Sequence, residues 1–286
     1  MKLALIGVGL IGGSFARAVR AAGRVRHIVG FDTQPEALHR ALELGVIDEL
    51  AASAASAVEG ADLVMIATPV GSIEAVLSAI APRLSGSAVV TDVGSTKTAV
   101  IEAARAELGI AFDRFVPAHP IAGREHSGVE HSDPALFRNS VCIITGTAGT
   151  GASAIRQVEL LWRDLGCRIE HMSAKDHDRV FAAVSHLPHL LAFAVVAQIA
   201  SDPDAERRFA MAGPSFRDLT RIAASSPSMW TEICMSNRSA ISDELRNHRQ
   251  LLEKLQRALD EGDAGTLRQV FSQAATASRQ GSDAID

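Results

Sequence analysis

The sequence predicts an α/β protein in which a parallel sheet domain, residues 1–172, is followed by an all-α domain, residues 173–286. Three observations lead to this prediction. Strand-type and helix-type segments alternate regularly in the first part, a glycine-rich turn follows the first strand, and only helical periodicity is found after Met172. Such alternation is typical of a parallel sheet covered by helices on both faces.

The predicted strands of the first domain are short apolar runs, and its predicted helices carry apolar residues at helical spacing. We expect strands at residues 2–6, 27–31, 62–67, 88–92, 115–117, 141–145 and 167–171. We expect helices at residues 10–22, 35–44, 72–80, 96–108 and 152–165. Together these strands are expected to form one parallel sheet.

The second domain is predicted to be helical throughout. Its helices are expected at residues 174–200, 227–238, 239–260 and 266–278. Pro188 lies within the first of them and should kink it or mark a joint, because proline lacks the amide hydrogen that a helix needs. The tail, residues 280–286, is expected to be disordered.

The composition limits the possible functions. The formal net charge of −5 provides no basic surface for nucleic acid, so an anionic substrate would have to be held by a few placed cations. The three cysteines, Cys142, Cys167 and Cys234, are far apart and lack metal-binding spacing, which favours reduced thiols. Cys142 is expected to be a buried core residue of its strand.

Neither of two apolar stretches is interpreted as a membrane segment. The N-terminal run resembles a secretory signal, but glycines interrupt it, and Arg17 and Arg20 follow within a helical pattern. The run 189–200 is too short to span a bilayer and contains Gln198. We therefore expect a soluble, cytoplasmic protein with no nucleic-acid or membrane partner.

A GxGxxG motif lies between the first strand and the first helix. Gly7 permits a tight turn, Gly9 lets the backbone approach a pyrophosphate, and Gly12 allows close packing of helix and strand. The amide groups at the start of the following helix favour phosphate. This arrangement predicts a Rossmann-type dinucleotide-binding domain.

Asp32 follows the second strand and predicts the choice of dinucleotide. A carboxylate at this place binds the adenine ribose hydroxyls and repels a 2′-phosphate, so NAD is favoured over NADP. The candidate cofactor-binding residues are Gly7, Gly9, Leu10, Ile11, Gly12, Asp32, Thr68 and Pro69.

The candidate catalytic and substrate-binding residues lie mostly in four polar segments, which are residues 92–97, 119–128, 185–189 and 213–223. Together with GVGLIGGS, the motifs DVGSTK, HPIAGREHSG, SHLPH, GPSFRDLTRIA and SPSMW resemble those of the prephenate/arogenate (cyclohexadienyl) dehydrogenase family. The resemblance covers nearly the whole chain in the same order. It implies oxidation of a cyclohexadienol, in which hydride passes to NAD, carbon dioxide leaves and the ring becomes aromatic.

The resemblance also implies roles for individual residues. His119 would accept the proton of the substrate hydroxyl, with Ser95 as its hydrogen-bonding partner near the nicotinamide. Arg221 would bind a substrate carboxylate, and His186 would be a further polar group of the site. Arg217 and Trp230 would be accessory binding residues. The residue types agree, because histidine suits proton transfer near neutral pH and arginine suits carboxylates.

Several interpretations stay open at this point. His119 precedes a proline and could be only a turn residue, and His186 could be only a core residue. Arg217 and Arg221, one helical turn apart, could form surface salt bridges. Trp230 could be a core or interface residue, because tryptophan has these roles in proteins more often than a catalytic one.

Other histidines and Lys97 are less defined. His126 and His131 are interpreted as loop residues, since their spacing with His119 matches no zinc site and no metal is expected. For His189, a packing role and a role in binding are both open. Lys97 could contact the cofactor or be exposed to solvent.

Two alternative functions are also compatible with the sequence. One is another two-domain dehydrogenase, of the β-hydroxyacid or imine type, and the other is an NAD-sensing binding protein without turnover. The sequence does not separate prephenate from arogenate. The apolar faces of the C-terminal helices predict a homodimer through this half of the chain.

Overall fold

The computed structural model describes residues 1–124 and 126–283, so Glu125 of the polar segment 119–128 lies outside the described residues. The chain forms two compact units, Met1–Arg238 and Ser239–Asp286. This division falls later than residue 172 because residues 174–181 contact the helix 98–107 of the sheet domain, and residues 227–236 contact the turn 70–72. A functional boundary at residue 172 stays a prediction.

The first unit is built on a parallel sheet, as predicted. Among the described residues its strands are β1 (Lys2–Ile6), β2 (His27–Phe31), β3 (Glu49–Leu50), β4 (Leu63–Ile66), β5 (Val89–Asp92) and β6 (Phe115–Val116). They lie in the order β3-β2-β1-β4-β5-β6, all parallel. The order reverses between β1 and β4, and ligands of such sheets bind beyond the carboxyl ends of the strands at this reversal.

Helices cover both faces of this sheet. They are α1 (Leu10–Ala21), α2 (Pro35–Glu43), α3 (Ala54–Ala57), α4 (Ile73–Ile80), α5 (Thr98–Glu107) and α6 (Ala152–Asp164). The alternation along β1 shows the two layers, since Leu3 and Leu5 pack in one hydrophobic cluster while Ala4 and Ile6 pack in the other. Both faces of β1 are therefore buried, which explains its continuous apolar run.

The prediction of a single sheet is wrong for the last strands. β7 (Ala118–Pro120), β8 (Val141–Ile144) and β9 (Arg168–His171) form a second sheet, in which β7 and β8 are antiparallel. The chain changes sheets at Pro117, which has no amide hydrogen to continue the ladder with β5. Its carbonyl oxygen instead accepts the amide of Thr145 at 3.1 Å, next to β8.

The helix expected at residues 174–200 is interrupted. α7 (Ala174–Phe181) is followed by a π-helical turn (Ala182–His186) and by α8 (Leu187–Ala200). Pro188 stands in the first turn of α8, where its missing amide hydrogen has little effect, so the predicted joint is confirmed. The first unit continues with α9 (Ala205–Ala210), α10 (Pro214–Thr220) and α11 (Pro227–Ser236).

The helical stretch from Ala174 to Ala200 is long and apolar enough to cross a membrane, judged by length and composition alone. It is longer than the apolar run 189–200 considered from sequence. Its first half, however, carries the buried side chains of His177, Asp178 and His186. Their hydrogen bonds, described below, tie this stretch to the sheet part of the unit.

The helices of the second unit are α12 (Arg238–Asp260), whose first residue still belongs to the first unit, and α13 (Ala264–Asp283). The prediction of disorder from residue 280 is wrong up to Asp283, because α13 continues to that residue, and residues 284–286 lie outside the described part. Large apolar side chains of this unit are exposed, among them Leu252, Leu259 and Phe271.

Candidate active site

The turn after β1 has the geometry that its glycines require. Gly7 has a φ of +95°, and its amide donates to Phe31 O at 2.8 Å. A Cβ on Gly7 would lie 2.5 Å from Ala67 O, and one on Gly12 would lie 2.1 Å from Gly7 O. A Cβ on Gly9 would meet nothing within 4 Å. The first and third glycines thus permit close packing, whereas the second faces open space at the start of α1.

Asp32 lies directly beside this turn. Its Oδ2 accepts the amide of Val8 at 2.9 Å, and its Oδ1 accepts the amide of Gln34 at 3.0 Å. The carboxylate is partly buried and holds a fixed orientation at the end of β2. After β4, the buried Oγ1 of Thr68 has no hydrogen-bond partner among the described residues. A buried hydroxyl of this kind fits a ligand contact.

A buried ion pair connects the end of β5 to the start of α5. The ammonium group of Lys97 contacts the carboxylate of Asp92, and both side chains are completely buried. Lys97 also donates to Ala118 O at 2.7 Å, while Asp92 accepts the amide of Gly94 at 2.8 Å. Lys97 is therefore not the exposed residue that the sequence left open, and its charge lies directly behind β7.

His119 is the first member of a chain of three buried side chains. Its Nδ1 lies 2.8 Å from Nε2 of His177, and Nδ1 of His177 lies 2.9 Å from Oδ1 of Asp178. Because the carboxylate only accepts, His177 donates from Nδ1 and accepts at Nε2. His119 must then donate from Nδ1, which leaves a lone pair on its Nε2. This arrangement makes the Nε2 of His119 a proton acceptor.

Asp178 also fixes the position of this chain relative to the sheet. Its carboxylate accepts the amides of Lys97 and Thr98, each at 2.8 Å, at the N-terminus of α5. Its backbone oxygen accepts from the side-chain Nδ2 of Asn237 at 2.7 Å. Burial alone would raise the pKa of the Asp178 carboxyl. Hydrogen bonds from His177 and from the backbone amides of Thr98 and Lys97 favour the charged carboxylate and hold this pKa below its usual value.

The electrostatic environment keeps the histidines neutral. Burial lowers the pKa of His119 well below its usual value, and the neighbouring His177, Lys97 and His186 lower it further. Burial also lowers the pKa of His177, against the opposing effect of Asp178. Near neutral pH His119 is therefore already in the form that accepts a proton.

A second group of polar side chains surrounds Trp230. His189 stacks on its ring at 3.7 Å, and His186 meets it edge-on at 6.1 Å. Nδ1 of His186 lies 3.1 Å from Nδ2 of Asn237, and burial lowers the His186 pKa to about 4. The buried Nε1 of Trp230 has no hydrogen-bond partner among the described residues. This indole donor is, like Thr68, suited to a ligand.

The remaining predicted site residues are placed as follows. Ser95 is partly buried, and its backbone forms a hydrogen bond with His186. The described residues show no hydrogen bond from its hydroxyl to His119, whose Nδ1 contacts His177 instead. Arg221 is exposed at the start of a 3₁₀ turn, and its charge lowers the pKa of His189. Arg217 is exposed on the preceding helix α10.

The sequence reasoning missed His177, Asp178 and Asn237 and left His189 undecided. The signal that could have found the first two is their helical spacing from Phe181, since all three lie on the face that α7 buries. His126 and His131 are exposed, with ring centroids 5.0 Å apart. The part of the chain that the structure describes contains no group of three or more residues placed to hold a metal.

These features are typical of dinucleotide-dependent dehydrogenases: a glycine turn, a carboxylate at the end of β2 and an oriented histidine. The comparisons with known proteins give the particular family. Residues 15–171 match the nucleotide-binding domain of prephenate dehydrogenase, and residues 173–273 match the dimerization domain of the same family. The chain belongs to the prephenate dehydrogenase family.

Similar proteins agree with this assignment. The chain is 36% identical to a prephenate dehydrogenase of Bacillus subtilis, over 94% of this chain and 73% of that protein. It is 35% identical to a cyclohexadienyl dehydrogenase of Zymomonas mobilis, over 95% and 92% of the two chains. The structure of prephenate dehydrogenase from Aquifex aeolicus with hydroxyphenyl propionate and NAD⁺ is 35% identical, covers 98% of both chains and has a TM-score of 0.89.

Proposed function

We propose that this chain catalyses the NAD-dependent oxidative decarboxylation of prephenate to 4-hydroxyphenylpyruvate, of arogenate to tyrosine, or of both. The observation that carries the proposal is the orientation of His119, whose Nδ1 is held by His177 so that Nε2 is available as a base. The named activities of the relatives from Bacillus and Zymomonas support the choice of substrates.

The residues around the glycine turn fit NAD. Gly9 leaves open space where a pyrophosphate can approach the backbone, and the first amides of α1 and the dipole of this helix favour its charge. Asp32 offers a carboxylate to the adenine ribose, and the buried hydroxyl of Thr68 offers a hydrogen bond. Leu10, Ile11 and Pro69 complete the proposed contact surface. Bound here, NAD would supply the acceptor for the hydride.

The contribution of His119 is proton transfer. Its Nε2 removes the proton of the ring hydroxyl. The oxygen then forms a C=O double bond to the ring carbon while the hydride leaves this carbon for the dinucleotide. Loss of the ring carboxylate as carbon dioxide then leaves its bonding electron pair in the ring, which becomes an aromatic phenolate. The phenolate takes the proton back from Nε2 of His119 and becomes the phenol of the product. Because His119 is neutral at physiological pH, it needs no prior deprotonation.

The group around Trp230 is proposed to bind the substrate. Arg221 carries the positive charge for a carboxylate, and its planar guanidinium suits two-point hydrogen bonding. The indole donor of Trp230 and the imidazoles of His186 and His189 lie close to one another and supply neutral polar contacts. Arg217, exposed one turn earlier, and Ser95, beside His186, are the remaining proposed contacts.

We also propose that the protein is a cytoplasmic homodimer. The match to a dimerization domain supports this assembly. In addition, α8 is strongly apolar, yet only Leu187 and Ala192 of this helix are buried. A second copy could cover such a face, as is typical of symmetric oligomers. Light scattering at micromolar concentration should give twice the mass of the chain, and a monomeric mass would contradict the proposal.

The experiment for the catalytic role compares His119→Asn with the parent protein. NADH formation with prephenate and with arogenate should fall by roughly 10²- to 10⁴-fold, the usual contribution of a positioned base. NAD binding, measured by calorimetry, should stay close to the parental value. His39→Asn is a matched control, because His39 is exposed on α2 and its Nδ1 contacts Pro35 O of the same helix at 2.7 Å. Near-parental turnover in His119→Asn would contradict the assigned role.

A further inference from the structure

The hydrogen-bonded chain from His119 does not end at that residue but continues into the interior through His177 to Asp178. We propose that the proton removed from the substrate is passed along this chain, so that the positive charge produced by the reaction comes to rest on His177. His177 and Asp178 are thus positioning and relay residues for the base. This inference rests on the proposed function, in which His119 acts on the substrate hydroxyl.

The geometry supports transfer between the two rings. The contacts His119 Nδ1 to His177 Nε2 and His177 Nδ1 to Asp178 Oδ1 are 2.8 and 2.9 Å, both short enough for good hydrogen bonds. All three residues are buried or nearly so, with 9%, 0% and 5% of their surface exposed. Phe181 covers the rings, since it stacks on His177 at 4.5 Å and lies 4.9 Å from His119. Bulk water therefore has little access to the contact between the rings.

The step is balanced in protons. The O–H bond of the substrate breaks, and a new N–H bond forms at Nε2 of His119. The N–H bond at Nδ1 of His119 breaks, and one forms at Nε2 of His177. His119 ends as a neutral ring with its proton on Nε2, and His177 becomes an imidazolium that donates to the Asp178 carboxylate. When carbon dioxide leaves, the electron pair of the broken C–C bond enters the ring and the ring oxygen becomes a phenolate. The same movements in reverse then return the proton through His119 to this oxygen, and the product leaves as a phenol.

The charges around the two rings favour His177 as the resting place. His119 faces the Lys97 ammonium, His177 and His186, and each of these groups disfavours a positive charge on it. His177 also faces Lys97, but it contacts the Asp178 carboxylate and lies within the influence of Asp92, which both favour a positive charge.

Two other groups could compete with His177 for the proton, the neighbouring Cys142 and the terminal member Asp178, and neither takes it. The Cys142 thiol on β8 approaches the backbone of His119, and burial raises its pKa, so it stays uncharged. The pKa of the Asp178 carboxyl is lowered by hydrogen bonds from His177 and from the start of α5, so Asp178 stays ionised. The proton consequently stops at His177.

The first test uses the acid limb of the kcat–pH profile in Asp178→Asn, with Asp176→Asn as the matched control. Asp176 is an exposed carboxylate on the same helix that contacts Ser173 and Arg179. Without its anion the His177 imidazolium is less stable, so the midpoint of the acid limb should move to lower pH in Asp178→Asn and stay in place in the control. The kcat value should fall by roughly 10²-fold or more, since acid–base catalysis depends on the correct tautomer.

A second variant keeps the test independent of folding defects in Asp178→Asn. In His177→Gln the amide oxygen can still accept from His119 Nδ1, so the tautomer is kept while the relay is lost. The kcat value should fall at least 10-fold with little change in KM. Parental kcat in His177→Gln, or acid limbs that coincide in Asp178→Asn and Asp176→Asn, would overturn the proposal.

Nuclear magnetic resonance of ¹⁵N-histidine-labelled protein with NAD separates this inference from the proposed function, because it needs no turnover. On acidification His177 should take up a proton before His119, with assignments from His177→Gln and His119→Asn. At neutral pH His119 should carry its proton on Nδ1. Protonation of His119 before His177 would overturn the relay, whereas a clear titration of His177 first without any turnover would overturn only the proposed substrates.

Discussion

The same substitution, glycine to alanine, should have different effects at two positions of the glycine turn, Gly9 and Gly12. Gly9→Ala places a methyl group in open space, whereas Gly12→Ala places it 2.1 Å from Gly7 O. Gly9 has a φ of −71°, which alanine adopts readily, while Gly12 lies inside α1. The first variant should therefore affect the ligand, and the second should affect the fold.

The expected changes in the free energy of unfolding follow from competing effects. At Gly9, loss of a favourable N-cap residue costs about 1 kcal/mol, and the reduced entropy of the unfolded chain offsets about 0.4–1 kcal/mol. The net change should be close to zero. At Gly12, alanine gains about 1 kcal/mol in helix propensity, but a contact this short requires a backbone shift that costs about 3 kcal/mol or more. Gly12→Ala should therefore be about 2 kcal/mol less stable.

Ligand binding separates the two positions further. The Gly9 methyl group would keep the pyrophosphate from the amides of α1, and each hydrogen bond to a charged group contributes about 1.5–3 kcal/mol. The Kd for NAD should rise roughly 10- to 100-fold in Gly9→Ala, at about 1.4 kcal/mol per factor of ten. Urea unfolding and calorimetry with NAD measure the two quantities. Equal unfolding midpoints for the two variants, or unchanged NAD affinity in Gly9→Ala, would refute the reasoning.

Three further predictions concern cofactor choice, substrate charge and pH. Asp32→Ser should weaken NAD and let NADP compete, because the repulsive carboxylate is removed; an unchanged ratio of the two affinities would contradict its assignment. Arg221→Ala should raise the KM for the substrate by roughly 30-fold or more, for a loss of at least 2 kcal/mol, and Arg217→Ala should raise it less. The reverse order would exchange their roles. Because the folded pKa of His186 is about 4 against the usual 6.5, stability present above pH 6.5 is lost as the pH falls toward 4. Between pH 7 and 5 the free energy of unfolding of the parent protein, measured with urea, should fall by about 2 kcal/mol through this residue, and it should fall less in His186→Gln. Equal losses in the two proteins would contradict this prediction.

The dinucleotide site was accessible to sequence reasoning because its determinants are local. The turn between β1 and α1 needs glycine at defined positions, and the carboxylate at the end of β2 follows within one strand–helix–strand unit. The same local patterns predicted the main sheet and most helices. They did not show that the chain changes sheets at Pro117, because the partner strand β8 lies more than twenty residues further along the chain.

The interior of the candidate active site was less accessible. His177 and Asp178 stand side by side in a helix, a pair that in sequence is typical of a solvated surface. Their role depends on contacts with His119 and with Lys97, which are 58 and 81 residues away. Lys97 was ambiguous for a related reason, since its burial depends on the carboxylate of Asp92 and on the backbone of β7. Long-range pairing of polar groups has no simple periodic signature.

We propose that the oriented imidazole of His119 serves an NAD-dependent oxidation of a cyclohexadienol. The most direct measurement is the initial rate of NADH formation by the parent protein and by His119→Asn, with prephenate and with arogenate, each in the presence of NAD or NADP. We predict NADH formation with at least one of the two substrates, a preference for NAD, release of one carbon dioxide per NADH, and a loss of roughly 10²-fold or more in the variant. No NADH from either substrate, or equal rates for the parent and His119→Asn, would contradict the account.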